Sequence, residues 1–499
     1  MEWLSKNNGF IKKWSLLLTK QVSIAPLVTF RIVFGSIMVF STLRFWWLGW
    51  IEDHFINTQF TFKYFGFAWV QLLPPTGMYL LHALLLLGAI GITLGLFYRL
   101  SAIVFFLAFT YVELIDLTYY LNHYYFVTLI SFLLIWVPAN RLFSLDVYRG
   151  AIAQQQAVPR WTIAIFQLQI GIVYTYAGLA KVNADWLFHA LPLKIWLPAH
   201  THLPIVGKIF TWEITAYLFS WIGLLYDLLI VFFLMWKPTR VMAYLSVVAF
   251  HTLTGLLFQI GIFPLVMIGG TWIFFPERFH QKLLQTLTGR FKNSTFRARL
   301  KVGFAGEKHQ FLKPLLGYFF VRLGSAELHS KMSLQRTQNL QLSLLKHHLQ
   351  PSTKLIAWIL ASYFLLQLLI PWRYLLYPGN LFWTEEGYRF SWRVMLVEKA
   401  GTATFYVKDP VSGREGMVDN SQFLRPQQER LMAYQPDMIL QFAHFLARHF
   451  QKEGEALPAV SAEVYVTLNG RPSRLLIDPK VNLALVQDGW GAKDWIIRE

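Results

Sequence analysis

WTIAIFQLQIGIVYTYAGLAKVNADWL, residues 161–187, is the stretch from which the fold can be inferred. Residues 161–180 carry no charged side chain, and an α-helix needs about 20 largely apolar residues to cross the hydrocarbon core of a bilayer. The run ends at Lys181, which Asn183 and Asp185 follow closely. Burying an ammonium group is costly, so a lysine at the end of a membrane span requires an explanation.

The composition of the whole chain is that of a membrane protein. Of its 499 residues, 55% are hydrophobic and only 14% are charged, which is too apolar for a soluble protein of this size. The absence of cysteine excludes disulfides, thiolate nucleophiles and cysteine-based metal sites. The formal charge of +18 indicates basic loops that orient a multi-pass protein and attract anionic membrane lipid. No motif supports nucleic-acid binding.

Nine apolar runs are predicted to be membrane spans. Lysine and arginine concentrate in alternate loops, so the positive-inside rule places the N-terminus in the cytoplasm and the C-terminal region outside it. The predicted fold is a polytopic α-helical membrane protein with about nine transmembrane helices, in the inner membrane if the source is bacterial. The predicted spans are 26–48, 77–98, 101–120, 123–139, 161–181, 214–236, 241–258, 260–275 and 354–376.

The C-terminal part of the sequence predicts a small extracytoplasmic α+β domain. The stretches at 403–409 and 463–478 alternate like strands, and Asn469-Gly470 is a strong hairpin signal. Between them, residues 427–451 have the spacing of an amphipathic helix. The predicted divisions are a transmembrane domain with eight helices at 1–280, a basic cytoplasmic connector at 281–353, the ninth helix at 354–376 and the soluble domain at 377–499.

Polar side chains within the predicted spans are few. Arg31, Asp116 and Asp227 are expected to take part in structural pairing between helices. Lys181 differs, because two interpretations stay open. It reaches the polar interface along its aliphatic stem, or it is a buried amine whose neutral form serves as a general base. No histidine cluster has a complete ligand set, and we expect no metal site.

The polar residues of the fifth span can be placed around the helix by their spacing. Residues seven apart lie on nearly the same face, two turns along the helix. Tyr174 therefore shares a face with Lys181, whereas Gln169 and Tyr176 lie roughly a third of a turn to one side. This spacing predicts a helix with polar groups on one broad side, ending at Lys181.

Stretches along most of the chain resemble one family, the vitamin K-dependent γ-glutamyl carboxylases and the bacterial proteins that share their HTTM-type transmembrane domain. The stretch that begins at Tyr174 resembles the family's segment around its essential lysine. The stretch that begins at Asp116 resembles its Asn-His turn. The likeness follows the family's order and omits the connector 281–353. The stretches are YTYAGLAKVNADW, DLTYYLNHYYF, LLLLGAIGITLGLFYRLS, FHTLTGLLFQIGIFPLVM, GYRFSWRVM and LLIDPKVNLALVQDGW.

The resemblance implies a set of site residues. Lys181 falls on the family's catalytic lysine and His123 on its functional histidine, with Asn122 beside it. The residues it implies for cofactor binding are Gln169, His251 and Tyr174, and those for substrate binding are Tyr388 and Trp392. The chain departs from the family pattern at Arg393 and at 383–387, WTEEG, where the family is thought to contact its substrate.

The reaction implied by the resemblance uses vitamin K hydroquinone as co-substrate, O2 and CO2 as substrates, and no metal. A base deprotonates the hydroquinone, and oxygen addition generates a stronger base that removes a γ-hydrogen from glutamate. CO2 then adds to that carbon, and the quinone leaves as its 2,3-epoxide. The implied partner is a glutamate-containing protein or peptide, docked on 377–499 and processed in a catalytic domain at 1–280.

Two other interpretations stay open. In the first, the chain is a hydroquinone epoxidase that either carboxylates no substrate or modifies a different, unknown target. Alternatively, it is a non-enzymatic transporter or scaffold, for which inverted repeats or paired broken helices would be expected. The sequence shows no repeat between its halves and few mid-helix breaks.

Overall fold

The computed structural model describes residues 15–204, 206–258, 260–293 and 351–498. In these residues a helical bundle is joined to a smaller α+β domain. The helices of the bundle are α1 (Ala25–Trp47), α2 (Pro75–Leu94), α3 (Tyr98–Ile115), α4 (Asn122–Trp136), α5 (Trp161–Ala180), α6 (Glu213–Met235), α7 (Arg240–Leu257), α8 (Phe263–Gly270), α9 (Glu277–Asn293) and α10 (Pro351–Leu369). A 3₁₀ segment, Thr271–Phe274, continues α8, and another, Ile370–Leu376, continues α10.

Seven helices in the described residues are long and apolar enough to cross a membrane, namely α1, α2, α3, α5, α6, α7 and α10 with its continuation. The other two predicted spans form shorter apolar helices, α4 with 15 residues and the segment Phe263–Phe274. At 1.5 Å per residue α4 is roughly 22 Å long, against a hydrocarbon core of about 30 Å. The prediction of a multi-helix membrane protein is confirmed, but the count of nine full spans is not.

Glycines set how closely neighbouring helices approach. A Cβ atom placed on Gly91 of α2 would lie 2.1 Å from the Ser101 Oγ atom of α3. A Cβ atom on Gly178 of α5 would lie 2.7 Å from a side-chain carbon of Leu228, and 3.0 Å from its backbone nitrogen, in α6. A larger residue at either position would clash. The α5 and α6 backbones therefore approach each other closely just before Lys181.

Two polar residues of the spans, Arg31 and Asp116, connect distant elements by hydrogen bonds, and among the described residues neither forms the predicted pair with an opposite charge. Arg31 is fully buried and donates a 2.6 Å hydrogen bond to the Phe143 carbonyl. Asp116 accepts hydrogen bonds from the Phe62 backbone N–H at 3.3 Å and from Gln428 Nε2 at 2.8 Å. Gln428 belongs to the C-terminal domain, so Asp116 ties this domain to the bundle.

The described residues form two antiparallel sheets, a small one in the bundle and a larger one in the α+β domain. Their strands are β1 (Gln21–Ser23), β2 (Ala157–Pro159), β3 (Lys399–Lys408), β4 (Glu415–Met417), β5 (Ala459–Leu468) and β6 (Arg474–Leu475). Strands β1 and β2 pair in the bundle, and the α+β domain has the strand order β4-β3-β5-β6. The longest pairing runs from Lys399 opposite Leu468 to Lys408 opposite Ala459.

The predicted helix at 427–451 is two helices, α11 (Pro426–Met432) and α12 (Pro436–His449). The break has a local cause, because Pro436 lacks a backbone N–H and fits only the first turn of a helix. The apolar side of α12, centred on Phe442, packs against β3 and β5 in the domain core. The predicted hairpin turn is confirmed, since Asn469 and Gly470 have φ values of 50° and 74°.

One segment of the C-terminal domain enters the bundle. Trp392 is only 1% exposed and belongs to the bundle core, where it stacks on Tyr125 of α4 with ring centroids 4.9 Å apart. Most of the predicted connector, 294–350, lies outside the described residues.

Candidate active site

A cavity of about 310 Å³ lies where α4 and α8 begin and where α5 and α7 end. This volume is at the lower limit of the roughly 300–1,000 Å³ typical of ligand sites, which are mostly apolar with a few polar groups. The polar side chains of the lining come from α4, from α5 and the residues that follow it, from α6, from α7 and from residues 390–395 of the C-terminal domain, here called the inserted segment. Its members are Asn122, His123, Tyr174, Lys181, Asp227, His251, Thr254 and the indoles of Trp186, Trp196 and Trp392.

Lys181 forms a buried ion pair with Asp227. The Lys181 Nζ atom lies 2.6 Å from the Asp227 Oδ2 atom, and each residue is only 6% exposed. Nζ also donates to the Ala177 carbonyl at 3.2 Å, and it lies 5.3 Å from the centre of the Trp186 ring. One interpretation of the sequence was a solitary neutral amine, but in the structure the amine has a carboxylate partner.

The local sequence explains why these two groups meet. Lys181 follows the last residue of α5, where unpaired carbonyls and the helix dipole favour a cation. Gly178, one turn earlier, permits the close approach of α6 beside Leu228, the residue after Asp227. The short separation of the two helix backbones thus brings the carboxylate to the amine.

A second polar group lies deeper along α5. The Tyr174 hydroxyl is 2.8 Å from His251 Nε2 of α7 and 3.4 Å from the Tyr226 hydroxyl of α6. Tyr174 is 2% and His251 is 1% exposed. The Nδ1 atom of His251 has no hydrogen-bond partner among the described residues. One ring nitrogen of this histidine is therefore bonded to Tyr174, and the other is buried without a partner among the described residues.

The start of α4 supplies the third polar group. Asn122 accepts from the Tyr120 hydroxyl at 3.1 Å and donates to the Arg393 carbonyl at 3.2 Å, which connects α4 to the inserted segment. The Nε2 atom of buried His123 and the Nε1 atom of Trp392 have no partner within the described part of the chain. Buried polar groups are normally paired, so these atoms mark positions where a ligand would supply the missing hydrogen bonds.

Two of the expected site residues do not line the cavity. Gln169 accepts a 2.8 Å hydrogen bond from the Tyr363 hydroxyl and so connects α5 to α10. Tyr388 lies outside the lining and packs edge-on against Phe382, with ring centroids 6.4 Å apart. The other six expected residues, Asn122, His123, Tyr174, Lys181, His251 and Trp392, all line one cavity.

The segment that inserts Trp392 has an unusual backbone. Phe390, Trp392 and Met395 have φ values of 61°, 59° and 54°, a region that side chains other than glycine rarely adopt. Such strain is found mostly at sites where the surrounding structure requires one conformation. Trp392 and Met395 line the cavity, so this segment forms part of its wall.

The two glutamates of the unusual WTEEG stretch are paired inside the C-terminal domain. Glu385 lies 3.0 Å from the Lys399 amine and Glu386 lies 3.4 Å from the Arg498 guanidinium. Burial lowers the pKa of Lys399 although Glu385 opposes the shift, and burial raises the pKa of Glu386. These carboxylates support the fold of the domain and do not line the cavity.

Two family models match the chain. The HTTM domain matches residues 19–279, which is more than half of the sequence, and the lumenal domain of vitamin K-dependent gamma-carboxylase matches residues 352–499. The chain belongs to the vitamin K-dependent gamma-carboxylase family. No solved structure matches it. The two matched regions of this carboxylase-family chain correspond to the bundle that contains the cavity and to α10 with the α+β domain.

The lining fits the co-substrate that membership of this carboxylase family implies. A naphthohydroquinone is a flat apolar ring system with oxygens on opposite sides, and the cavity offers apolar walls with polar groups on separate helices. Buried nitrogen atoms that have no hydrogen-bond partner among the described residues are present on His123, His251 and Trp392. Within the described residues, no group of three or more His, Asp or Glu side chains is arranged to hold a metal ion.

Sequence reasoning missed the specific role of Asp227 and the contribution of Trp186. Asp227 interrupts the apolar run of α6, which indicated a structural pairing. The sequence did not identify Lys181 as the partner of Asp227, because the two residues lie 46 positions apart and the rotation of α6 relative to α5 was not known. Trp186 gave no signal, since the chain is rich in aromatic residues throughout.

Proposed function

We propose that the protein is a vitamin K-dependent γ-glutamyl carboxylase. In the overall reaction, one hydroquinone, one O2, one CO2 and one glutamate side chain give the 2,3-epoxide, one water and γ-carboxyglutamate. The observation that carries this proposal is the buried Lys181 amine, which lines an apolar cavity together with His123 and Asn122. The family models support the reaction class.

In this proposal Lys181 takes a proton from the hydroquinone hydroxyl. His123 Nε2, which has no partner in the part of the chain that the structure describes, would contact an oxygen of the ring, and Asn122 would orient α4 through its bond to the Arg393 carbonyl. Tyr174 and His251 would hold the opposite side of the ring, with His251 Nδ1, which likewise has no partner there, facing a second oxygen.

When bound, the hydroquinone supplies the strong base that is formed with O2 and removes the γ-hydrogen of glutamate. The protein must keep bulk water from that base, because water would quench it. The apolar lining and Trp392, which is 1% exposed, serve this purpose. The glutamate side chain would enter beside the inserted segment, with Trp392 at the cavity and Tyr388 contacting the peptide farther out.

The proposed orientation follows from the loop charges. With the N-terminus in the cytoplasm, the C-terminal domain and the cavity lie on the extracytoplasmic side. A secreted or periplasmic substrate would then reach the domain from the side on which the inserted segment closes the cavity.

The test is an assay of purified protein with reduced vitamin K, labelled bicarbonate and a glutamate-containing peptide. We expect epoxide and peptide-bound label to form in wild-type protein, and both to be lost in Lys181→Ala. Lys194→Ala is the matched control, since Lys194 also pairs with a carboxylate, Glu213, but on the exposed surface. Normal epoxidation by Lys181→Ala would refute the assignment of the base, and no oxidation of hydroquinone by wild-type protein would refute the function.

A hydroquinone epoxidase without glutamate carboxylation is the second candidate. It is favoured by Tyr388, which does not line the cavity, and by Glu385, which is engaged with Lys399. Epoxide formation without label in any glutamate peptide would support this candidate.

A further inference from the structure

The ion pair raises a chemical question that rests on the proposed function. A general base must accept a proton, yet Lys181 lies 2.6 Å from a carboxylate that stabilises its charged form. Both neighbours of the Lys181 Nζ atom, Asp227 Oδ2 and the Ala177 carbonyl, are hydrogen-bond acceptors. An ammonium group satisfies both of them and has no lone pair left with which to take a proton.

We propose that Asp227 is the positioning residue and proton store of the site, through which Lys181 becomes able to act as the base. The proton between the two groups moves from Nζ to Oδ2, so the N–H bond breaks and an O–H bond forms on Asp227. Lys181 is then a neutral amine. After it rotates about its terminal C–N bond, its lone pair takes a proton from a hydroxyl in the cavity.

Charge balance in the cavity favours this sequence. Before the step, the lysine and aspartate together carry one exchangeable proton and no net charge. After the step they carry two protons and one positive charge, which faces the oxygen that has lost its proton. The sum is zero at both stages, whereas a lone amine beside an unprotonated carboxylate would leave a net negative charge in an apolar site.

The other titratable groups that line the cavity are placed differently. They are His123 from α4, Tyr174 from α5 and His251 from α7, with Tyr226 behind Tyr174. None of them forms a hydrogen bond or ion pair with Lys181, whose side-chain polar contacts in the described residues are Asp227 and the Ala177 carbonyl. Asp227 is therefore the group able to exchange a proton directly with Lys181.

The first readout needs no quinone. Full-length protein in detergent is treated with acetic anhydride across a pH series, and acetylation of Lys181 is measured by mass spectrometry. In Asp227→Asn we expect Lys181 to react at lower pH than in wild-type protein, and roughly tenfold faster near neutrality, since one pH unit is a factor of ten. Glu213→Gln is the matched control, because it removes a lysine-bound carboxylate from the same helix, and it should leave Lys181 reactivity unchanged.

The second readout is epoxidation and its pH profile. Asp227→Asn should lose most activity, because an amide neither holds the Nζ atom in an ion pair nor exchanges a proton with it during turnover, and the pH profile of its residual activity should be displaced to lower pH, as in the acetylation series. Asp227→Glu should retain a measurable part of the activity, and it also serves as the test if Asp227→Asn folds poorly. Unchanged acetylation and pH profile in Asp227→Asn, or equal losses in both variants, would overturn the inference. Activity in wild-type protein that is lost in Lys181→Ala would still leave the proposed function standing.

Discussion

The contact between Arg471 and Asp185 is expected to hold the segment after Lys181 against the C-terminal domain. Arg471 donates two hydrogen bonds to the carboxylate, at 2.9 and 2.6 Å, and Asn469 donates a third at 2.7 Å. Burial raises the pKa of Asp185, but the hydrogen bonds from Arg471 and Asn469 outweigh burial and hold this pKa below its usual value. The carboxylate is thus charged at neutral pH and bound by the turn that ends β5.

The magnitude follows from the exposure of the two side chains. Hydrogen bonds to a charged group contribute about 1.5–3 kcal/mol. The Arg471 side chain is 40% exposed and that of Asp185 is 12% exposed, so solvent screening reduces the estimate to about 1–2 kcal/mol. Arg471→Ala should therefore lower the ratio of docked to undocked domain by roughly 5- to 30-fold.

Hydrogen–deuterium exchange of the full-length protein measures this effect. Residues 182–198 should exchange faster in Arg471→Ala, and Arg471→Lys should give an intermediate result because lysine lacks the bidentate geometry. Arg474→Ala is the control, since Arg474 is an exposed residue of β6 with no ion pair in the described part of the chain. If exchange in 182–198 is the same in both alanine variants, the contact does not hold the segment.

Two further results are expected. Gly178→Ala should destabilise the protein by about 1–3 kcal/mol through overpacking against α6 and should reduce epoxidation. Gly171→Ala is the control and should be tolerated, because its Cβ atom would lie 3.6 Å from its nearest neighbour. Equal thermal stability and equal activity of the two variants would contradict this prediction. Burial raises the pKa of Asp437, but the charge and hydrogen bonds of Arg389 lower it more, to below its usual value. A lowered folded-state pKa means that the ion pair stabilises the fold above about pH 4 and that this contribution is lost as the pH falls through the folded-state value. The difference in thermal stability between wild-type protein and Asp437→Asn should shrink on acidification, and a difference that grows would refute the assignment.

Features that depend on local chemistry were predictable from the sequence. Apolar runs gave the helices of the bundle, and Asn469-Gly470 gave the hairpin turn. Helical spacing predicted polar groups on one broad side of α5, whereas the structure turns them toward two neighbours. Tyr174 and Lys181 line the cavity, and Gln169 and Tyr176 bond to α10, through the Tyr363 hydroxyl and the Leu368 carbonyl.

Features that depend on how distant elements meet were not predictable. The resemblance assigned Gln169 to the cofactor, but its position on the face toward α10 keeps it from the cavity. The pairing of Lys181 with Asp227 depends on the rotation and depth of α6 relative to α5, which no local pattern encodes. The break before Pro436 is a different case, because it depends on local chemistry and could have been predicted. A proline inside the predicted helix should have divided it.

The lengths of two helices explain why a cavity exists at this end of the bundle. Helices α4 and α8 begin at Asn122 and Phe263, and both starting residues line the cavity. Had α4 extended as far as a complete span requires, roughly five more residues would fill this volume. The space is closed instead by Trp392, whose backbone adopts a conformation that a non-glycine residue avoids. The C-terminal domain is therefore part of the wall of the site, and its removal would open the Lys181–Asp227 pair to water.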